Sequence, residues 1–524
     1  TDPVARAAAR RAGGVLLVDE VQDLTPAHVL LVRLLAGPAA EVFGVGDDDQ
    51  TIYGYSGASP EWLIGFDELF AGARHHDLHV NYRCPPEVVG AASTLLSHNR
   101  RRIPKEILAA PGRATASSGD PPPFEAVGDA DPVGVTVAHV RVLVESGVRP
   151  RDIAVLTRVN ATLLGPMLAL GEAGIATTAP VDAAFLERTG IAAALAWLRL
   201  ATAPEQRLSG TDIGIAARRP PRALRPMIVD WAGEQSSPAG LRQLAGRLRD
   251  ERDTAKLLGF VDDLAAVREL VDAGATTAEV LTAVRDQVGL GAALDDRLDA
   301  ARRSVDRSAH GDDLAALLAV ARFETDPSRF GGWVADRLGA RSVDEGDGVR
   351  LSTVHRVKGR EWPHVVVHDV SAGLFPHRLA ADREEERRVF HVAITRGSER
   401  VLVVAGELPS PFLRELTRPR APGDDPPPEH PRPGRPTRSP DPGPAPLSDD
   451  DADLRERLKA WRRSVAVGAD IPAYVVFNDA TLDALVAGRP MSEHELLDAP
   501  GIGPVKIERY GAAILAIVAG DDPG

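Results

Sequence analysis

Two short apolar runs, each ending in acids, constrain the fold most strongly. GVLLVDE (Gly14–Glu20) and EVFGVGD (Glu41–Asp47) have the continuous apolar character of fully buried parallel strands. The stretch between them, 26–36, carries Val29, Leu30, Leu34 and Leu35 at helical spacing. Strand, helix, strand with polar residues at the strand ends is the pattern of an α/β sheet, which binds ligands at the C-terminal ends of its strands. The pattern returns in DIAVLTR (Asp152–Arg158) with a helix over 161–173. It returns again in VRLSTVH (Val349–His355), HVVVHDV (His364–Val370) and RVLVVAG (Arg400–Gly406).

Between about 201 and 345 the chain is rich in Ala, Leu and Arg with helical periodicity, which predicts an inserted helical domain. Residues 419–446 hold 12 of the 42 prolines and read as an extended, semi-rigid linker. A small helical domain follows: Leu454, Leu458, Trp461 and Val465 form one apolar stripe, and Ser492 with Glu495 has capping-box spacing. Lysines and arginines number 61 against 75 acids, a net charge of −14, so a general basic coat is excluded and any nucleic-acid surface must be a local groove. Cys84 is the single cysteine, which excludes an intrachain disulfide or a cysteine-ligated zinc. No apolar run approaches the roughly eighteen residues of a membrane span, so a soluble, cytoplasmic chain without membrane partners is expected.

The Asp19–Glu20 pair closes the first strand. Magnesium takes oxygen ligands, commonly one or two carboxylates plus substrate phosphates, and a neighbouring acid can orient an attacking water. Alone, such a pair more often marks a strand turning into solvent. It is not alone. LLVDEVQD (Leu16–Asp23) is followed by GVGDDDQTIYGYSGA (Gly44–Ala58) and VNYRCP (Val80–Pro85), then far downstream by LSTVHRVKGREWPHVVV (Leu351–Val367) and EEERRVFHVAITRG (Glu384–Gly397).

In this order the five segments resemble motifs II to VI of superfamily 1A DNA helicases of the UvrD/Rep/PcrA type, over residues 15–416. The C-terminal segment resembles an HRDC domain. The resemblance implies RecA-like P-loop NTPase lobes of α/β class with a helical insertion and a small all-α HRDC-like domain. The boundaries expected are a partial first lobe (1–83), a second lobe in two parts (84–200 and 346–416), the insertion (201–345), the linker (417–447) and the HRDC-like domain (448–520). The function implied is a 3′-to-5′ ATP-dependent DNA helicase or translocase in repair or replication, using ATP and Mg²⁺ on single-stranded DNA and its junctions with duplex.

By the same resemblance Asp19 is the magnesium carboxylate and Glu20 polarises the hydrolytic water. Gln50 senses the γ-phosphate, Arg83 and Arg396 reach it from different lobes, Tyr82 stacks on adenine and Glu361 binds the ribose. Tyr55 corresponds to an aromatic that stacks on DNA bases, with Tyr53 beside it, and His355 couples nucleotide state to DNA. Trp62 and Phe66, at i and i+4, read as core. In the HRDC-like domain, LLDAPGIGPVKIERYG (Leu496–Gly511) offers a glycine turn, with Lys506 and Arg509 as candidate phosphate contacts, and the domain is also a candidate docking site for repair proteins.

One family element does not occur. No G-x-x-x-x-G-K-[ST] phosphate loop is found in the sequence, which opens on Thr1. The resemblance places that loop before motif II, so the chain is expected to be an N-terminally truncated piece, inactive as an ATPase, with residues 1–83 its least stable part. The rival expectation is a non-catalytic DNA-binding or regulatory protein that keeps the helicase shell.

Overall fold

Six parallel strands make the main sheet: β5 (Phe124–Gly128), β6 (Ile153–Thr157), β7 (Thr177–Thr178), β8 (Val349–Thr353), β9 (Trp362–Val367) and β10 (Gly397–Ala405), in the order β5-β10-β9-β6-β8-β7. The strands fall on both sides of the helical stretch in sequence. A computed structural model describes residues 15–36, 41–70, 72–112, 121–178, 181–218, 222–290, 310–339, 347–420, 449–468, 476, 479–492, 495–496 and 504–521. The chain divides into two units, 1–424 and 425–524.

Both faces of the main sheet are buried, and the period of two shows it. Ile153 and Val155 of β6 enter one core while Ala154 and Leu156 enter the other; Leu402 and Val404 of β10 alternate likewise with Val401 and Val403. Each fully buried Val, Leu or Ile contributes about 1.5–3 kcal/mol. The second core is closed by α2 (Pro86–Leu96) and α13 (Arg383–Ile394); helices of eight residues or more are numbered in chain order, with α1 at Pro26–Ala36.

The first core continues into the helical stretch. From 181 to 339 the described residues form helices and turns without a strand. Its centre is α5 (Thr189–Thr202), whose alanines let α6 (Gly210–Ala217), α9 (Glu251–Asp272), α11 (His310–Val320) and α12 (Pro327–Gly339) approach. Trp197 of α5 lies 5.1 Å from Phe260 of α9 between ring centroids. Asp250 caps α9 through the Arg252 and Asp253 N–H groups, and Thr276 with Glu279 forms a capping box.

The start of the chain differs from expectation in two respects. β1 (Val15–Val18) and β2 (Glu41–Gly44) pair in parallel, Val15 opposite Glu41 and Val18 opposite Gly44, but they are not fully buried. Leu17 is 74% exposed and Phe43 60%, because among the described residues these strands pair only with each other and one face of the pair has no covering layer. In the segment VNYRCP the strand β3 (Val80–Asn81) pairs with β4 (Leu108–Ala109) and not with the β1–β2 pair. The Asn81 side chain accepts the N–H groups of Arg83 and Cys84, which turns the chain into α2 after only two paired residues.

The second unit has its own core of Leu454, Leu458, Leu482, Leu485, Ile514 and Ile517, with Trp461 edge-on to Tyr510. Its helices are α14 (Asp449–Gly468), α15 (Asp479–Gly488) and α16 (Pro504–Ala519). The proline linker from 421 and the glycine turn at 500–503 lie outside the described residues. Among the described residues no helix is long and apolar enough to cross a membrane.

The first turn of α13 joins distant parts of the first unit. Asp382 caps it by accepting the Glu384 and Glu385 N–H groups. Glu384 accepts the N–H groups of Arg100 and Arg101, at 2.8 and 3.1 Å. Glu386 is buried and paired with buried Arg158 at the end of β6 through two bonds, 2.9 and 2.6 Å, and it also accepts the His377 N–H. The His377 ring is 3.0 Å from Asp312 of α11, so this chain of contacts reaches the helical stretch. Glu386→Ala leaves a buried guanidinium without its carboxylate and should cost about 3–5 kcal/mol. Urea unfolding of the full chain measures it; a loss under about 1 kcal/mol would show that water replaces the carboxylate.

Candidate nucleotide and nucleic-acid site

Asp19 and Glu20 stand exposed at the C-terminal end of β1. Glu20 adopts a left-handed backbone (φ 52°), uncommon for a residue with a Cβ, and starts a single 3-10 turn over Val21–Asp23. Its N–H donates to Asp19 Oδ1 at 2.9 Å and its carboxylate accepts from Gln22 Nε2. Lys358, from the loop between β8 and β9, is buried beside this turn. Its Nζ lies 3.5 Å from Glu20, 2.7 and 2.6 Å from the Asp23 oxygens, and 3.0 Å from the Gln50 carbonyl. Burial raises the Asp23 pKa, and Lys358 offsets only part of that. Sequence reasoning singled out neither Asp23 nor Lys358; the available signal was a rare lysine inside the segment Leu351–Val367.

A second group gathers where β2 ends. Gln50 closes a 3-10 turn over Asp48–Gln50; its Nε2 donates to Asp47 Oδ2 at 2.7 Å and its Oε1 accepts from Arg396 Nη2 at 3.5 Å. Arg396 follows the C-terminal end of α13 and is almost completely buried, with Nε donating to the Val392 carbonyl and Nη1 to that of Arg360. Burial first, and then the nearby charge of Arg83, lower its pKa to about 10. Arg83, just after β3, pairs with Glu361. Tyr82 beside it is 74% exposed. Two guanidinium groups held close enough to repel are the surroundings that a bound polyanion relieves.

Asp47, Asp48 and Asp49 bring their oxygens within 4.8 Å of one another. Cations of the chain already occupy them: Lys105 Nζ lies 2.7, 2.5 and 3.2 Å from the three carboxylates, and Arg102 grips Asp49 through two bonds. Burial favours a raised Asp47 pKa, but Lys105, His391 and the Gln50 bond outweigh it and hold the carboxyl at about 2. The triplet is therefore a buried ion-pair cluster and fits a metal poorly. Asp19, exposed at its strand end, suits the single carboxylate that magnesium takes beside substrate phosphates. A cavity of about 650 Å³ opens against the end of β2, lined by Asp47–Gln50, Arg83 and Lys105 among others.

The aromatic residues lie at the far end of the same loop. The Tyr53 hydroxyl donates to the His355 carbonyl at 2.8 Å, and Lys358 Nζ sits 5.5 Å from the Tyr53 ring centre. Tyr53, Tyr55 and His355 form a triangle with ring centroids 6.1–6.4 Å apart. Tyr55 is partly exposed and His355 buried. Trp62 and Phe66 are partly buried; a Cβ on Gly44 would meet the Phe66 ring at 2.8 Å, so Phe66 seals that strand. In the second unit Arg509 is exposed, whereas the Lys506 side chain lies outside the described residues. The structure thus brings Gln50, Arg83, Arg396 and Glu361 into one group and Tyr53, Tyr55 and His355 into another. One short loop, 47–56, belongs to both.

Known proteins share this arrangement of segments. Residues 1–71 match the UvrD/REP helicase N-terminal domain, 335–406 the UvrD-like helicase C-terminal domain, and 451–518 the HRDC domain. The chain is 30% identical over 541 residues to the ATP-dependent DNA helicase UvrD2 of Mycobacterium tuberculosis, covering 96% of this chain and 67% of that protein. It is 28% identical to the ATP-dependent DNA helicase PcrA of Staphylococcus epidermidis and to DNA helicase II of Escherichia coli. Each of those matches covers 76% of this chain, and 57% and 58% of the relative. The chain belongs to the UvrD-like helicase family and carries an HRDC domain.

Lys105→Met tests the ion-pair cluster on which the Gln50 turn rests. Removing the cation from buried carboxylates should cost about 3–5 kcal/mol at neutral pH. The folded pKa of Asp47 is depressed, so its contribution is complete above pH 3.8 and disappears as pH falls through about 2. The deficit of the variant should therefore shrink across that window. Chemical unfolding at several pH values checks both the size and the trend.

Proposed function

We propose that the chain is the motor portion of an ATP-driven, 3′-to-5′ single-stranded DNA translocase and helicase acting in repair or replication in the cytoplasm. The observation that carries this reading is the loop 47–56, whose Gln50 touches Arg396 and whose Tyr53 is bonded to His355. Nucleotide and DNA groups joined by so short a segment can change state together. In this reading Arg83 and Arg396 hold the γ-phosphate, Gln50 senses it, and Tyr82 and Glu361 hold adenine and ribose. Planar, permanently charged guanidinium groups suit the equatorial oxygens of phosphoryl transfer. Magnesium, held by Asp19, would supply charge neutralisation at the phosphates, and Glu20 would orient the water.

Tyr55, with Tyr53 and His355 behind it, would stack on bases, which tolerates any sequence as a translocating motor requires. The HRDC domain would add a second contact, to DNA through residues such as Lys506 and Arg509 or to a repair protein. The second reading is a non-catalytic DNA-binding or regulatory protein that keeps the helicase shell.

Two measurements separate these readings. In a parent protein that supplies the phosphate loop, magnesium-dependent ATP turnover, stimulated by an oligothymidylate and lost in Glu20→Gln, is the expected result for a motor; DNA binding without turnover by that parent supports the second. Tyr55→Ala should weaken single-stranded DNA affinity by about 1–3 kcal/mol in fluorescence anisotropy under either reading. Unchanged affinity would remove Tyr55 from the DNA surface.

A further inference from the structure

The first turn of α13 contains a contact that neither the nucleotide nor the DNA group requires for itself. Gly54 lies between Tyr53 and Tyr55, in the single 3-10 turn Gly54–Ser56 that presents both rings. Its N–H donates to Glu385 Oε1 at 3.0 Å, across 331 residues of sequence. The fit is close: a Cβ at position 54 would meet Glu385 Oε2 at 2.5 Å and the carboxyl carbon at 3.0 Å. A side chain here would displace the carboxylate from the amide, so the small residue at 54 lets Glu385 approach the backbone. Glu385 in turn is fixed by its place in the helix, where its own N–H donates to the Asp382 cap.

The same helix ends next to Arg396, which touches Gln50. A twelve-residue helix spans about 18 Å and transmits displacement without bending much. One end of α13 thus holds the turn bearing the tyrosines, and the other carries the arginine beside the nucleotide group.

We propose that Glu385 is a positioning residue: its carboxylate pins the Gly54 amide, sets the angle at which Tyr53 and Tyr55 are presented to single-stranded DNA, and makes that angle follow α13. This rests on the DNA reading given above for Tyr55. A charge-assisted bond to a backbone N–H is among the stronger neutral-to-ion contacts, enough to change an affinity about tenfold. Glu385 acts through the tyrosines and does not itself touch DNA, because a carboxylate facing phosphates would repel them.

The full chain, its Glu385→Ala and Glu385→Gln variants, and Tyr55→Ala with and without Glu385→Ala test this. The probe is a fluorescein-labelled oligothymidylate read by anisotropy, alongside amide hydrogen exchange of the peptide spanning Gly54. Glu385→Ala should speed Gly54 exchange and weaken oligonucleotide binding about tenfold. Glu385→Gln, which keeps an acceptor oxygen, should restore both. In the Tyr55→Ala background Glu385→Ala should change binding little. A Glu385→Ala variant with wild-type exchange at Gly54 overturns the proposal, and so does one that weakens binding by the same factor with or without Tyr55. Absence of oligonucleotide binding by the wild-type chain would instead refute the DNA reading, while the exchange measurement still decides whether Glu385 pins the turn.

Discussion

Four carboxylates at the start of one helix hold the first unit together. Asp382 caps α13; Glu384, Glu385 and Glu386 then bind the segment after α2, the tyrosine turn and the end of β6 respectively. Acids in a first helical turn are favoured by the helix dipole, and backbone N–H groups and arginines neutralise these further. Crowding three glutamates into one turn would be repulsive in isolation. It becomes favourable because each faces a different direction around the helix and meets a different donor. The arrangement makes α13 a hub whose orientation is overdetermined, which is what a helix carrying a buried Arg396 needs.

Burying Arg396 is costly, as its depressed pKa shows. The backbone carbonyls of Val392 and Arg360 accept from it, yet they carry no full charge to balance the guanidinium. Glu361, whose charge also reaches Arg396, is paired with Arg83. An anion entering beside Arg83 and Arg396 would find two cations incompletely neutralised and already oriented. The opposite holds a few ångströms away, where Lys105 and Arg102 neutralise Asp47–Asp49. Neighbouring acidic and basic groups are thus kept distinct: one is closed internally, the other left with positive charge.

Much of this was legible in the sequence because it depends on local pattern. Strands β6, β8, β9 and β10 follow from continuous apolar runs, and the helical stretch from its periodicity. Motif order pointed to Arg83, Arg396 and Gln50 as partners although sequence spacing separates them widely. What could not be read depends on neighbours in space. The exposure of Leu17 and Phe43 is set by which layers cover the β1–β2 pair, and the runs themselves look like those of buried strands. Val80–Asn81 pairs with Leu108–Ala109 over two residues only, where the Asn81 side chain ends the strand, an effect invisible in an apolar count. No periodicity distinguishes Glu385, which reaches Gly54, from a glutamate in solvent.

The net charge of −14 bears on how such a chain could grip a polyanion. Around the site the cations are largely spoken for: Lys358 by Asp23, Lys105 and Arg102 by the aspartates, Arg158 by Glu386. A phosphate-dominated interface draws on exposed lysines and arginines and weakens steeply with salt. A ring-dominated interface needs instead a few aromatic faces held at fixed angles. In a chain only 4% aromatic, two tyrosines separated by one glycine, braced by His355 and by a glutamate behind that glycine, would meet that need with very little surface in the DNA reading proposed for Tyr55. In that reading rigidity would substitute for charge: rings ordered before DNA arrives would spare binding an entropy cost that weakly held side chains have to bear.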